Sequence, residues 1–290
     1  FNVMSQNYEW HFDERLGDLL GGKDETMQEG ALKQVAAGCD IAPTAAEGGL
    51  ANMAATRYHP MEDWMKSLPA WDGVDRLTAL ADAIPSTDDP EYVRMVVRKW
   101  FVQAVQAVCG WRKPRQVGGV LVFSGKGATG KTTFFLECAP RQFTKEGATL
   151  KFNQSSERDV MRSATSAPIV ELGELGSSFS KSSQDDIKNF LTKTEDVYRM
   201  AYAKHEVTVP RATVFGASVN ERTFLRDETG NRRFWPVNIN DMMPRVENID
   251  QLWAQNLHMW REGFSYWLDA DEMATLNIAA MGNVDLSEVA

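Results

Sequence analysis

The chain has 290 residues, a formal net charge of −9, and 43% hydrophobic with 24% charged residues, which is typical of a globular protein. No apolar stretch approaches the ~20 residues of a membrane-spanning helix, so we expect no membrane partner. The charge has the wrong sign for a protein that coats nucleic acid broadly, although a small basic site can still bind it.

Cysteine and histidine are both rare and scattered. The three cysteines are odd in number and far apart, which indicates a reduced compartment and no disulfide framework. The four histidines form no spacing typical of a zinc site. Because the chain begins at Phe1 rather than at Met, we expect a fragment or a processed product that could lack an upstream domain.

The chain divides into three predicted regions. Residues 1–115 form an N-terminal helical region, with no recognisable motif in 1–57 and clearer helices in 58–115. Residues 116–240 form the core, and residues 241–290 close it with helices. Helical spacing predicts the N-terminal helices at 61–68, 74–84 and 92–108. The basic residues between 94 and 115 could be a solvated helix face or a DNA contact.

Strands and helices alternate in the core, as a parallel sheet requires. We predict strands at 120–123, 167–172, 211–219 and 234–239, helices at 133–138, 158–163, 183–192 and 250–268, and a β-hairpin at 197–209. The predicted fold class is α/β, with a parallel sheet core and an N-terminal helical domain.

Residues 125–132 fit the Walker A pattern G-x-x-x-x-G-K-[ST] without a mismatch. Such a loop turns its backbone N–H groups toward phosphates, while its Lys reaches the β- and γ-phosphates and its Ser or Thr hydroxyl binds Mg²⁺. Here these are Lys131 and Thr132, so we expect the parallel sheet core to be of the P-loop NTPase type. We therefore predict ATP and Mg²⁺ as cofactors, bound by Gly125, Lys126, Gly127, Ala128, Thr129, Gly130, Lys131, Thr132 and Thr133.

An acidic element is expected at the end of a strand beside this loop, where carboxylates can bind Mg²⁺ and activate water. Glu171 and Glu174 supply it. Either could serve the metal while the other polarises the water, and one could merely cap the next segment. Asn220, which follows the strand at 213–219, can orient the attacking water, although Asn is also a common turn residue.

Two basic pairs have both a functional and an ordinary interpretation. Arg232 and Arg233 could place an arginine finger in a neighbouring subunit's site, or they could pair with acidic residues of the preceding turn. Lys204 and His205 lie near the tip of the predicted hairpin. They could be solvated surface, whereas in a ring they would form a circle of positive charge that holds single-stranded DNA.

Taken in order, these motifs resemble the virulence-associated protein E family. This family lies near the superfamily-three helicases and the poxvirus-type primase-helicases within the AAA+ class. The resemblance covers about residues 58–240. It is carried by the segments 59–60, 71–73, 171–175 and 188–192 and, most specifically, by the string from Asp227 to Pro236.

The resemblance implies an ATPase of phage or mobile-element replication in the cytoplasm of a bacterial or phage-infected cell. It implies a hexameric ring on single-stranded DNA, with Asn220 as sensor 1, Arg232 or Arg233 as the finger and Lys204 with His205 on the pore hairpin. One departure is that no Asp-Glu pair ends the acidic strand, and the spacing from Lys188 favours Glu174 as the principal acid.

We therefore predict an ATP-dependent DNA helicase or translocase that could work with a primase or another replication partner. The alternative is a nucleotide-gated initiator, scaffold or defence module that binds DNA without unwinding it. A small-molecule P-loop kinase is a third interpretation, which explains neither the arginine pair nor the hairpin.

Overall fold

The computed structural model describes residues 59–116, 118–148, 157–173, 181–198, 207–220 and 231–283. The chain from Met61 onward belongs to one compact unit. The described helices are α1 (Pro60–Ser67), α2 (Arg76–Ala83), α3 (Pro90–Cys109), α4 (Lys131–Glu137), α5 (Glu157–Ala164), α6 (Lys181–Thr192), α7 (Ile249–Arg261) and α8 (Ala270–Met281).

Five parallel strands form the central sheet: β1 (Val120–Ser124), β2 (Thr144–Ala148), β3 (Ile169–Leu172), β6 (Val214–Val219) and β7 (Phe234–Asn238). Their order across the sheet is β2-β3-β6-β1-β7. The sheet, with helices on both faces, confirms the predicted α/β fold with a parallel core. Apart from β2, its strands are dominated by apolar side chains because both faces of the sheet are covered.

The two faces of the sheet are covered by different helices. On one face α3, α4 and α7 meet in an aromatic cluster, in which the ring of Trp100 lies 5.5 Å from that of Phe135 and the ring of Phe101 lies 5.5 Å from that of Trp253. On the other face Val160 of α5 and Phe190 of α6 belong to one buried cluster with the strands. The result is a three-layer sandwich with the sheet in the middle.

Helix α3 is buried along most of its length and fixes the start of β1. Asp89 caps its first turn by accepting hydrogen bonds from two backbone N–H groups, and Pro90 occupies its first position. In its middle, the amide of Gln103 accepts from the N–H groups of Gly118 and Gly119 and donates to the Gly119 carbonyl. These bonds hold the residues that lead into the central strand.

The strand order shows how the acidic element reaches the loop. The strand that carries Glu171 lies two positions from β1, with β6 between them. In register, Glu171 lies opposite Gly216 of β6, and Gly216 lies opposite Leu121 of β1. A Cβ at position 216 would lie 2.2 Å from the ring of Phe135, so α4 approaches this part of the sheet only because the residue is glycine.

The predicted hairpin is confirmed for its two strands, β4 (Glu195–Tyr198) and β5 (Val207–Pro210), which pair antiparallel. Next to it, the guanidinium of Arg211 donates to both carboxylate oxygens of Asp196, and both side chains are 2% exposed. The same guanidinium lies 4.2 Å from the Phe190 ring centroid. This buried pair connects the base of the hairpin to α6.

Three elements differ from the sequence predictions. The helix expected over 250–268 ends at Arg261, shortly before Gly263 with a φ of 82°. Helix α8 lies in the region that was predicted to close the core with helices, but it was not predicted as a separate element, although Asp269 and Glu272 form the capping box that begins it. Strand β2 was also missed because its sequence, TKEGA, is that of a charged edge strand.

Candidate nucleotide-binding site

The Gly-rich segment 125–130 connects the carboxyl end of β1 to the first turn of α4. Three of its residues have positive φ: Gly125 at 143°, Ala128 at 61° and Gly130 at 84°. A Cβ at position 125 would lie 2.2 Å from the carbonyl oxygen of Ile239, so only glycine fits there. This loop and helix N-terminus form the strand–loop–helix arrangement that the motif predicts.

The Lys131 ammonium lies inside this loop. It is 4% exposed and donates to the carbonyl oxygens of Gly125, at 2.9 Å, and Lys126, and to the Thr129 hydroxyl at 3.3 Å. These acceptors are all neutral, and no described carboxylate forms an ion pair with Lys131. Burial lowers the pKa of Lys131. A buried cation among neutral oxygens favours the binding of an anion.

The first turn of α4 brings a hydroxyl to the acidic strand. The Thr132 hydroxyl lies 3.5 Å from a carboxylate oxygen of Glu171 and 3.2 Å from the Ser218 hydroxyl. Glu171 is 2% exposed, and its other carboxylate oxygen accepts from the backbone N–H of Gly147 at 3.0 Å. Hydroxyl and carboxylate oxygens are ligands that Mg²⁺ prefers, so Thr132 and Glu171 fit the predicted metal.

The described residues do not hold a metal by themselves. No group of three or more His, Cys, Asp or Glu side chains among them could bind an ion. A Mg²⁺ ion here would therefore depend on phosphate oxygens and water in addition to Thr132 and Glu171, as is usual where Mg²⁺ accompanies a nucleotide.

Asn220 directly follows β6 and is exposed. A Cβ built on Gly127 would lie 3.7 Å from its amide oxygen, so the Asn220 side chain faces the loop. The structure thus brings Lys131, Thr132, Glu171 and Asn220 together at the carboxyl edge of the sheet. Sequence reasoning missed Ser218, although it lies two residues before Asn220 and two after Gly216, on the face that meets α4.

Arg232 and Arg233 lie at the opposite edge of the sheet, in a 3-10 turn (Asn231–Arg233) that precedes β7. In register, Phe234 lies opposite Val120 and Asn238 lies opposite Ser124. At ~3.3 Å per residue, a strand of this length separates the arginine pair from the loop by roughly 16 Å. The pair therefore does not approach the loop of its own chain.

The two arginines have different surroundings. Arg232 is exposed, whereas Arg233 is half-buried and its Nε has no hydrogen-bond partner among the described residues. Burial, and secondarily the neighbouring charge of Arg232, lowers the pKa of Arg233. Both line a cavity of about 270 Å³. Its other lining residues are Gln116, Gly118, Gly119, Val120, Leu191, Thr192, Trp267, Leu268 and Met273.

Three predicted site residues, Glu174, Lys204 and His205, lie outside the described residues. Their roles stay predictions, as does the division of labour between the two glutamates.

Over residues 65–282 the sequence matches the model of the virulence-associated protein E-like domain. The chain belongs to this family. The match confirms the resemblance drawn from the motifs and extends beyond it at the carboxyl end, to residue 282 rather than about 240.

Among solved structures, the chain is similar to apo structures of the NrS-1 C-terminal region. Three of these are 19% identical to it, with TM-scores of 0.43, 0.43 and 0.45. The matches cover 77–78% of this chain and 50–52% of those chains, so this chain spans about half of their length. A comparison with curated proteins found no match. Within the described ranges, no helix has the length and apolarity to cross a membrane.

Proposed function

We propose that this chain is a Mg²⁺-dependent ATPase of the P-loop AAA+ type that drives a DNA helicase or translocase in phage or mobile-element replication. The observation that carries this proposal is the buried Lys131 ammonium, which ends a glycine-rich loop and contacts only neutral oxygens among the described residues. A triphosphate bound there would supply the anion that this cation lacks.

The residues around the loop have separate roles in this proposal. Lys131 binds the β- and γ-phosphates. The hydroxyl of Thr132 and a carboxylate oxygen of Glu171, which lie 3.5 Å apart, would bind the Mg²⁺ ion. A bound Mg²⁺ ion supplies charge neutralisation for the phosphates. Asn220 faces the loop from the end of β6 and orients the attacking water. Glu174 is the second candidate for the metal or for the base.

In this proposal, the arginine pair acts on the nucleotide of a neighbouring subunit. Arg232 and Arg233 lie about one strand length from the loop of their own chain, so they can reach a triphosphate only in another subunit. An arginine supplied in trans stabilises charge on the transferring phosphoryl group. We therefore propose a ring, hexameric as in related helicases, in which each interface combines one loop with one arginine pair.

The DNA contact is proposed for the tip of the β4–β5 hairpin. Lys204 and His205 lie between the two paired strands in the sequence, and the buried Arg211–Asp196 pair anchors the hairpin at its base. One Lys-His pair per subunit, repeated around a ring, would give a positively charged path for single-stranded DNA within an acidic protein.

The test is the steady-state ATPase rate with and without single-stranded DNA, for the wild type and for Lys204→Ala. We expect DNA to stimulate wild-type hydrolysis and Lys204→Ala to lose that stimulation while keeping its basal rate. Lys66→Ala is the matched control because this lysine is exposed on α1 and pairs with Glu62 and Asp63 of its own helix. If DNA stimulated hydrolysis equally in the wild type and in Lys204→Ala, the proposed role of Lys204 would be contradicted.

A second candidate is a nucleotide-gated initiator, scaffold or defence module that binds DNA or a protein without unwinding. The net charge of −9 favours it over a translocase, because a translocase must hold a long stretch of nucleic acid along its path. It predicts ATP hydrolysis that is indifferent to single-stranded DNA in the wild type.

A further inference from the structure

The order of the strands predicts toward which side of β1 the nucleoside end of a bound nucleotide extends. Asn220 directly follows β6 and Glu171 lies on β3, both on one side of β1, and the proposed function places both at the γ-phosphate end. A nucleotide whose phosphates lie across the carboxyl end of β1 therefore extends its nucleoside end to the other side. That side is formed by β7 and the segment that follows it.

This segment, residues 239–243, contacts both ends of the glycine-rich loop. The N–H of Ile239 donates to the Ser124 carbonyl at 2.7 Å, just before the loop begins. The N–H of Met243 donates to the Thr129 carbonyl at 2.8 Å, just before the loop ends. The segment therefore forms a wall along the loop on the β7 side.

Hydrogen bonds to residues that precede α3 also hold this wall in place. Asn238 bonds through its side-chain amide to Ser124 and Asp88, at 2.8 Å each, and its N–H donates to Asp88 at 2.6 Å. The N–H of Asn240 donates to the Pro85 carbonyl at 3.0 Å. These bonds hold the wall in one position before any ligand binds.

Within this fixed wall, Met242 has an exposed apolar side chain. It is 63% exposed, while its neighbour Met243 is buried against the loop, with its Cβ 3.6 Å from a Cβ built on Gly130. The N–H of Met242 donates to the carboxylate of Asp241 at 2.7 Å, which fixes the backbone at this position. A thioether is polarisable and makes favourable contacts with aromatic rings.

We propose that Met242 is a nucleotide-binding residue that packs against the base of the nucleoside triphosphate whose phosphates occupy the glycine-rich loop. This inference rests on the proposed function and adds the base contact to it. The 239–243 wall contributes a rigid edge, and the Met242 side chain supplies the apolar surface. Packing of this kind strengthens binding for any nucleobase and contributes nothing to a ligand without a base.

The test compares ATP with inorganic tripolyphosphate, which carries the phosphates without a base. Dissociation constants of both ligands are measured by calorimetry for the wild type, Met242→Ala and Met242→Leu. We expect Met242→Ala to weaken ATP binding about fivefold and to leave tripolyphosphate binding unchanged, because roughly half of a buried Met contact is lost. Met242→Leu should retain most of the ATP affinity. Met281→Ala, at an exposed methionine that ends α8, is the matched control.

The failures of the two proposals differ in this experiment. If Met242→Ala weakens both ligands equally, or leaves ATP binding unchanged, the base contact is overturned while the nucleotide site stands. If the wild type binds neither ligand, the proposed function fails as well.

Discussion

The carboxyl and amino ends of the parallel strands, here called the carboxyl edge and the amino edge of the sheet, carry different functional groups. At the carboxyl edge, a single buried ammonium, Lys131, is surrounded by neutral oxygens, with the Glu171 carboxylate held by Gly147 and Thr132 nearby. At the amino edge, two guanidiniums, Arg232 and Arg233, line a cavity whose other described lining residues carry no charge. Parallel strands place these groups apart because register fixes them at opposite ends of β7 and β1.

Within one copy of the chain, the Lys131 ammonium and the arginine pair therefore lie too far apart to bind one phosphate together. The carboxyl edge brings together the described residues that we propose for the nucleotide site, and the arginine pair lies elsewhere. The amino edge carries the arginine pair but not the glycine-rich loop, which lies at the carboxyl edge. This separation supports the proposal that the two edges meet between neighbouring subunits.

The largest effect is expected at the carboxyl edge. Lys131→Ala should lower the ATPase rate by at least about 10²-fold, because the site loses its buried cation. The measurement is phosphate release at saturating ATP, with folding checked by circular dichroism. Hydrolysis retained at the wild-type rate would refute the assignment of this loop.

At the amino edge, the double variant Arg232→Ala/Arg233→Ala should lose about 10³-fold in rate while still binding ATP. Mixing it with Lys131→Ala subunits separates a role in trans from a role in cis. In mixed rings, some interfaces combine an intact loop with an intact arginine pair, so we expect part of the activity to return. If mixing restores nothing, the proposal that the arginines act on a neighbour's nucleotide is wrong.

The third prediction concerns the acid of the carboxyl edge. Glu171→Gln keeps the shape of the side chain and removes its charge, so we expect kcat to fall about 10²-fold with little change in the Kd of ATP. Glu174→Gln is the matched comparison, and the larger loss identifies the principal acid. An unchanged rate in Glu171→Gln would show that this carboxylate serves structure only.

The smallest effect is a pH dependence of anion binding. Burial lowers the pKa of Lys131 in the empty loop, whereas a bound polyphosphate favours the ammonium and raises it. Binding therefore takes up a proton at alkaline pH, and affinity should fall as the pH rises through the lowered pKa of the free protein. We expect tripolyphosphate titrations between pH 7 and pH 10 to show this loss. An affinity that is constant over the range would contradict it.

The sequence by itself determined the family, the α/β class and the loop that ends in Lys131, because these depend on local patterns. The Walker A spacing, the apolar runs of β1 and β6 and the long string before Pro236 can all be recognised without knowing their neighbours. The same holds for the capping box at Asp269, a local pattern that begins α8.

Only the tertiary structure decided which of these residues meet. Strand order is a long-range property, so the sequence could not show that β6 separates Glu171 from β1, or that Gly216 opens the space for α4. It could not place Arg233 at the far edge from Lys131, nor Met242 beside the loop, because both positions depend on the register of β7 with β1. Pairing between distant strands is set by packing over the whole sheet, and no single segment encodes it.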